Sequence, residues 1–226
     1  APFLGGEKVI DLPLANVSER VATVLAFALT VGRCMFIGIF SNSLRESLYN
    51  KSRQLKEAYK RIEELAELDE LTGSFNRRCI MRMLDDEVAR AHRGNKRCSI
   101  ALIDLDWFKR INDAHGHPIG DEVLRTFAIT VFANIRSIDK FGRYGGEEFL
   151  LILPETPSDV AAGILERLRS IVANLDWSAF SPMMAVTISA GIATLQPDET
   201  ADALLARADE ALYVAKEAGR NQVAHA

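Results

Sequence analysis

Hydrophobic positions change their period along this chain. Over residues 21–40 they run almost unbroken, V-A-T-V-L-A-F-A-L-T-V-G-R-C-M-F-I-G-I-F, long enough to cross a hydrocarbon core as a helix. Residues 43–68 contain no Gly or Pro, and apolar side chains recur at Leu48, Leu55 and Ile62 with Ala58 and Leu65 between them. This heptad-like seam, interrupted by Lys51, predicts a long charged helix that either pairs as a coiled coil or packs on its own domain. Further on, short β-branched and apolar runs alternate with helical spacing. The pattern predicts helices near 77–93, 107–114, 120–135, 158–173 and 201–218, strands at 99–104 and 184–193, and a hairpin over 138–153. Such irregular alternation with a hairpin implies an α+β fold, an α/β sandwich around a mainly antiparallel central sheet, preceded by a long helix.

Candidate chemistry gathers at the hairpin tip. Gly145-Gly146-Glu147-Glu148-Phe149 places a glycine pair and two adjacent carboxylates between strand-like segments. Glycines tolerate φ > 0 and carry no side chain, so a phosphate can approach the backbone, and Glu147 and Glu148 can reach a hard cation that also holds that phosphate. Ordinary surface hairpins share this pattern. Earlier in the chain, however, the apolar run 99–104 ends in two more acids, Asp104 and Asp106. A carboxylate at the end of a buried strand is costly unless a metal or a donor satisfies it; capping of the following turn is the plainer alternative. Together, Asp104, Glu147 and Glu148 offer the oxygen ligands that Mg²⁺ takes alongside substrate phosphates.

Composition narrows the classes. The chain has 226 residues, enough for one domain and a substantial extra segment, and its formal net charge of −4 provides no broad basic surface for nucleic acid. Cys34, Cys79 and Cys98 are scattered and odd in number, which fits a reducing compartment better than a disulfide framework, and neither they nor the four histidines have zinc-ligand spacing. Arg33 is the sole charge in residues 21–40. Ten Leu, Ile, Phe and Val residues there contribute roughly −3 to −6 kcal/mol to insertion, against about +2.5 to +3.5 for Arg33. Six basic residues between 45 and 61 (Arg45, Lys51, Arg53, Lys56, Lys60, Arg61) orient everything after residue 40 towards the cytoplasm. A buried helix of a soluble sensor is the alternative for 21–40, and a cleaved signal peptide is disfavoured by the length of the span.

The chain resembles a GGDEF-domain diguanylate cyclase, in the variant whose signature reads Gly-Gly-Glu-Glu-Phe. Resemblance runs from Asp69-Glu70-Leu71-Thr72-Gly73 and Asn76-Arg77-Arg78, through Asp104-Leu105-Asp106-Trp107-Phe108-Lys109-Arg110-Ile111-Asn112-Asp113 and Gly116-His117-Pro118-Ile119-Gly120-Asp121, past the signature, to Ala208-Asp209-Glu210-Ala211-Leu212-Tyr213 and Gly219-Arg220-Asn221. Ser74 departs from the apolar residue usual after Leu-Thr-Gly, with only a local packing consequence expected. The organisation implied is an N-terminal segment 1–42 with a transmembrane helix at 21–40, a linker helix or coil at 43–68, and the catalytic domain at 69–226. With no initiator Met, it looks like the C-terminal part of an inner-membrane protein whose catalytic domain is cytoplasmic.

By resemblance, the fold is the palm-like one of nucleotide cyclases and polymerases, and the reaction joins two GTP into cyclic di-GMP and two pyrophosphates across a homodimer. The alternative is a catalytically silent module that senses GTP or cyclic di-GMP. Asp104, the Leu105 carbonyl and Glu147, with Glu148 assisting, match the positions that hold Mg²⁺ or Mn²⁺, and Glu147 is also the family's proposed proton acceptor. Lys109 matches a transition-state position, and Asn112 and Asp121 the guanine readers. Lys216 and Arg220 match triphosphate contacts; Phe108, His117, Gly145 and Gly146 match further substrate-contacting positions. Arg136 and Asp139, the ends of an Arg-x-x-Asp segment separated from Gly145 by five residues, have the spacing of the family's inhibitory product site, with Arg167 a secondary contact.

Overall fold

A computed structural model describes residues 14–65 and 67–226, with side chains placed for 20–56 and 67–226, and divides the chain into two units between residues 65 and 66. The described residues of the first unit form one helix, α1 (Leu14–Leu65), which runs unbroken through both the apolar stretch and the heptad-like stretch. Its described side chains are exposed, Phe27 at 71% and Phe36 at 70%. The segment Arg20–Lys56 is long and apolar enough to cross a membrane. The helix ends before Gly73, which instead closes a turn at φ +68, its N–H donating to the Asp69 carbonyl at 2.8 Å.

The second unit is a five-stranded sheet between two helical layers. In chain order come α2 (Arg77–Gly94), β1 (Cys98–Leu105), α3 (Phe108–His115), α4 (His117–Phe132), β2 (Lys140–Arg143), β3 (Glu148–Pro154), α5 (Ser158–Ala173), β4 (Ile188–Thr194), α6 (Ala201–Glu217) and β5 (Val223–His225). The sheet order is β2-β3-β1-β4-β5, antiparallel except for the β4/β5 pair. Local chemistry sets several boundaries. The Asn76 side chain accepts from Cys79 N–H at 3.0 Å to start α2, and left-handed Asn95 ends it.

All eight residues of β1 are buried because helices cover both faces of the sheet. Ala101, Ile103 and Leu105 face one core with Val123, Phe127, Leu165 and Leu168 of α4 and α5, whereas Ile100 and Leu102 face the other with Leu84, Val88, Leu204 and Leu212 of α2 and α6. By the period of two, Asp104 falls on the α6 side. The strand expected from residue 138 begins at Lys140, because 136–139 form a tight turn closed by Asp139 N–H donating to the Arg136 carbonyl at 3.0 Å. Helix α4 starts earlier than expected, at His117 with Pro118 in its first turn, where proline's missing N–H costs nothing. The strand expected at 184–193 starts at Ile188, and β5 is an edge strand too short to show a period.

Candidate active site

The site forms where β1 and β3 meet the signature hairpin. The expected hairpin is present, with Arg143 paired to Phe149 and the turn closed by Tyr144 and Gly145 N–H groups donating to the Glu148 carbonyl at 2.8 and 3.1 Å. Phe149 anchors it: fully buried, its ring lies 5.1 Å from Phe141 and 5.0 Å from Phe127, a burial worth roughly 1.5–3 kcal/mol. Neither signature glycine uses the positive φ that glycine tolerates. Their lack of a side chain matters instead. A Cβ on Gly145 would stand 2.6 Å from Glu148 Oε2, whereas Gly146 faces open space.

Register places Asp104 directly opposite Glu148 on β3 and Ser189 on β4. Like charges opposite one another across a ladder destabilise a sheet. Asp104 is buried, 7% exposed, and Lys216 on α6 reaches its Oδ2 at 2.8 Å. Burial above all, with Glu147 and Glu148, raises the Asp104 carboxyl to about 6 against the downward pull of Lys216. The burial penalty therefore exceeds what one ammonium returns, and the pocket retains an excess of negative charge. Among the described residues no three His, Cys, Asp or Glu side chains already converge as a closed metal cage. A magnesium ion that keeps waters and substrate phosphates needs none, so the acid set fits a hard cation.

Asp106 has a different job from Asp104. Its carboxylate accepts from the Thr187 and Ser189 hydroxyls at 2.7 Å each and from Asn221 N–H at 2.9 Å. It pins the turn between β1 and α3 to β4 and to the loop after α6, and does not cap the turn that follows it. Phe108 opens α3 with its ring buried, Lys109 projects exposed one residue later, and Leu105 N–H donates to the Glu147 carbonyl at 3.3 Å. Asn112 on α3 is half-buried against Gly120 of α4, with Asp121 next in sequence and His117 exposed at the helix start. Arg220 follows α6 at φ 66, so both expected triphosphate contacts, Lys216 and Arg220, come from one end of that helix.

Arg136 and Asp139 are brought together away from the signature. The Asp139 side chain, 1% exposed, accepts from Arg136 N–H at 2.8 Å, Nε at 3.2 Å and Nη2 at 2.7 Å, and Arg136 Nη2 also donates to Thr156 Oγ1 at 2.8 Å. The Asp139 carboxylate thus faces inward and orients the arginine. Arg167 on α5 donates to the Asn134 carbonyl at 2.9 Å.

Sequence reasoning assigned no role to Arg143. Its guanidinium donates to the Gly146 carbonyl at 3.0 and 2.7 Å and to both Asp69 carboxylate oxygens at 3.2 and 3.3 Å. It thereby ties the signature turn to the loop that opens the domain, where Thr72 N–H and hydroxyl also donate to Asp69. Ser74, the departure noted above, is fully buried and shares a 2.8 Å hydrogen bond with the Thr72 hydroxyl, a local adjustment as expected.

The family profile described as "Diguanylate cyclase, GGDEF domain" matches residues 66–222. Response regulator PleD of Caulobacter vibrioides is 49% identical over 163 residues, covering 71% of this chain and 36% of that protein. The chain therefore spans about a third of that curated relative's length. Among solved structures, the coiled coil and GGDEF domain of DgcB from Caulobacter crescentus, in complex with c-di-GMP, is 33% identical with a TM-score of 0.69, covering 81% of this chain and 100% of that one. The active GGEEF domain of a diguanylate cyclase from Vibrio cholerae is 35% identical with a TM-score of 0.64, covering 66% and 96%. Nearly all of the unit that carries the site lies inside the matched region, and the chain belongs to the GGDEF-domain family of diguanylate cyclases.

Proposed function

We propose that this chain condenses two GTP into cyclic di-GMP and two pyrophosphates across a homodimer, with residues 69–226 as the catalytic domain, 43–68 as a pairing helix and 21–40 as a membrane anchor. One observation carries the chemistry: a buried aspartate directly opposite a glutamate, an arrangement costly unless a cation and its ligand occupy the site. Mg²⁺ or Mn²⁺, held by Asp104, the Leu105 carbonyl and Glu147 with help from Glu148, supplies charge neutralisation on the triphosphate and lowers the pKa of the attacking hydroxyl. In each step a ribose 3′-oxygen bonds to the α-phosphorus of the other GTP while the bond to the β-phosphate oxygen breaks. The hydroxyl proton passes to Glu147 or to solvent. Open space at Gly146 admits the phosphates, Lys216 exchanges Asp104 for them, and Lys109 lies on the exposed face of α3 where the incoming subunit brings its half of the reaction.

Guanine is read by Asn112 and Asp121. A carboxylate accepts from N1–H and the 2-amino group, a pattern adenine lacks. Gly120 makes room for Asn112, because a Cβ there would stand 3.0 Å from Asn112 Cγ and closer still to Oδ1. Gly120→Ala therefore displaces the amide, and KM for GTP rises about five- to tenfold, the loss of roughly one hydrogen bond, with kcat changed less. Steady-state kinetics on GTP check this.

Purified protein incubated with GTP and Mg²⁺ releases pyrophosphate and cyclic di-GMP, with a rate per chain that rises with protein concentration as pairs form. No product at concentrations that permit pairing sinks the enzymatic reading. Product feedback rests on Arg136, held by Asp139 and half-exposed, ready to grip phosphate or stack on guanine. Arg136→Ala weakens cyclic di-GMP binding about 10- to 100-fold, as loss of a charged hydrogen bond does. Unchanged affinity in calorimetry removes that assignment.

A further inference from the structure

The turn between β1 and α3 sets an exposed tryptophan between two cations. Trp107 is left-handed, φ 58 and ψ 24, and 47% exposed. The guanidinium carbons of Arg110 and Arg220 each lie 3.8 Å from its ring centroid. Two planar cations at that distance cannot share one face, so the ring is sandwiched. The Arg220 side of this stack is built with unusual backbone. Gly219, Arg220 and Asn221 follow one another at φ 115, 66 and 47, conformations that L side chains adopt rarely and that cluster at functional sites. Asn221 N–H is fastened to Asp106 Oδ2 at 2.9 Å, so the two turns are tied through the backbone beside Trp107 and through the stack beyond it.

We propose that Trp107 is a positioning residue for Arg220, holding its guanidinium ready for the triphosphate before nucleotide arrives; this rests on the reading of Arg220 as a triphosphate contact. Fixing a long side chain in advance moves its loss of rotamer freedom from binding to folding. An aromatic ring suits the task better than a carboxylate, because it holds the cation without neutralising it and leaves the full charge for the phosphates. Lys216 shows the contrast: its partner is Asp104, and it has to leave that anion to reach another.

A double-substitution cycle tests the proposal in the full chain. Trp107→Ala raises KM for GTP about two- to fivefold, the range of an exposed cation–π contact, while kcat stays within twofold. Trp107→Phe restores most of the loss. In an Arg220→Ala background, Trp107→Ala adds nothing further. The affinity for inorganic tripolyphosphate, measured by calorimetry, follows the same cycle, so a wild-type protein that binds this anion yet makes no cyclic dinucleotide counts against the proposed function alone. An unchanged KM and tripolyphosphate affinity in Trp107→Ala, or an equal penalty with and without Arg220, overturns the assignment.

Discussion

Asp104→Asn lowers cyclic di-GMP formation about 10²–10³-fold, the effect of removing one charge-stabilising group from an active site, and leaves the fold at least as stable as before. Both halves follow from the same burial. Asn keeps the volume of the side chain and still accepts from Lys216 Nζ, so the contact now at 2.8 Å survives. What it lacks is the charge that a cation requires. The folded carboxyl is raised to about 6 from an ordinary value of 3.8, so its contribution to stability is full below pH 4 and is lost as pH rises through about 6. At neutral pH ionised Asp104 is a net cost to folding in the absence of a cation, and Asn removes that cost. The expected result is near-complete loss of pyrophosphate release at pH 7.5 with an unchanged or higher metal-free unfolding temperature. A parallel fall in both would make Asp104 a structural residue and not a metal ligand.

Gly191→Ala produces the second large effect, on stability. Gly191 sits in the middle of β4, paired with Leu102 on one side and Ala224 on the other, and α6 lies directly on it. A Cβ there would stand 2.8 Å from the Ala211 carbonyl carbon and closer still to Ala208 O and Leu212 N. These are backbone atoms of a helix and cannot rotate aside. Relief requires lifting α6 from the sheet, at about 3 kcal/mol or more, the upper end of overpacking costs. For a domain of this size that lowers the unfolding temperature by about 6–12 °C. Because Lys216 and Arg220 ride on the same helix and the loop after it, GTP binding weakens as well. Gly163→Ala is the control. Its exposed place in α5 has nothing within 4 Å, so the methyl stabilises by up to about 1 kcal/mol through helix propensity. Equal melting of the two variants would show that α6 does not bear on Gly191.

Much of the fold was legible because its signals are local. The apolar run of β1, the Gly-Gly hairpin ended by Pro154 and the helical spacing of 158–173 each declare their element within a few residues, and the last matches α5 to the residue. Boundaries missed by two to four residues lie where side chains remote from the pattern decide them. Asp139 folds the chain back on Arg136 and delays β2, and β5 exists because its three residues find an open parallel edge on β4. A single residue pattern could not divide roles within the Asp104-Leu105-Asp106 segment either. Both acids lie at the end of the same strand, yet one meets an acid and a lysine while the other meets two hydroxyls and an amide.

The sequence by itself determined the family, the order of elements and the identity of the chemical groups, because motifs and periodicity depend on neighbours along the chain. Only the tertiary structure decided how those groups are used. Cross-strand register set Asp104 against Glu148, the rise of α6 brought Lys216 onto Asp104, and two turns more than a hundred residues apart in sequence closed Arg220 over Trp107. Such contacts arise from strand pairing and helix packing, which fix distances between residues that share no sequence pattern.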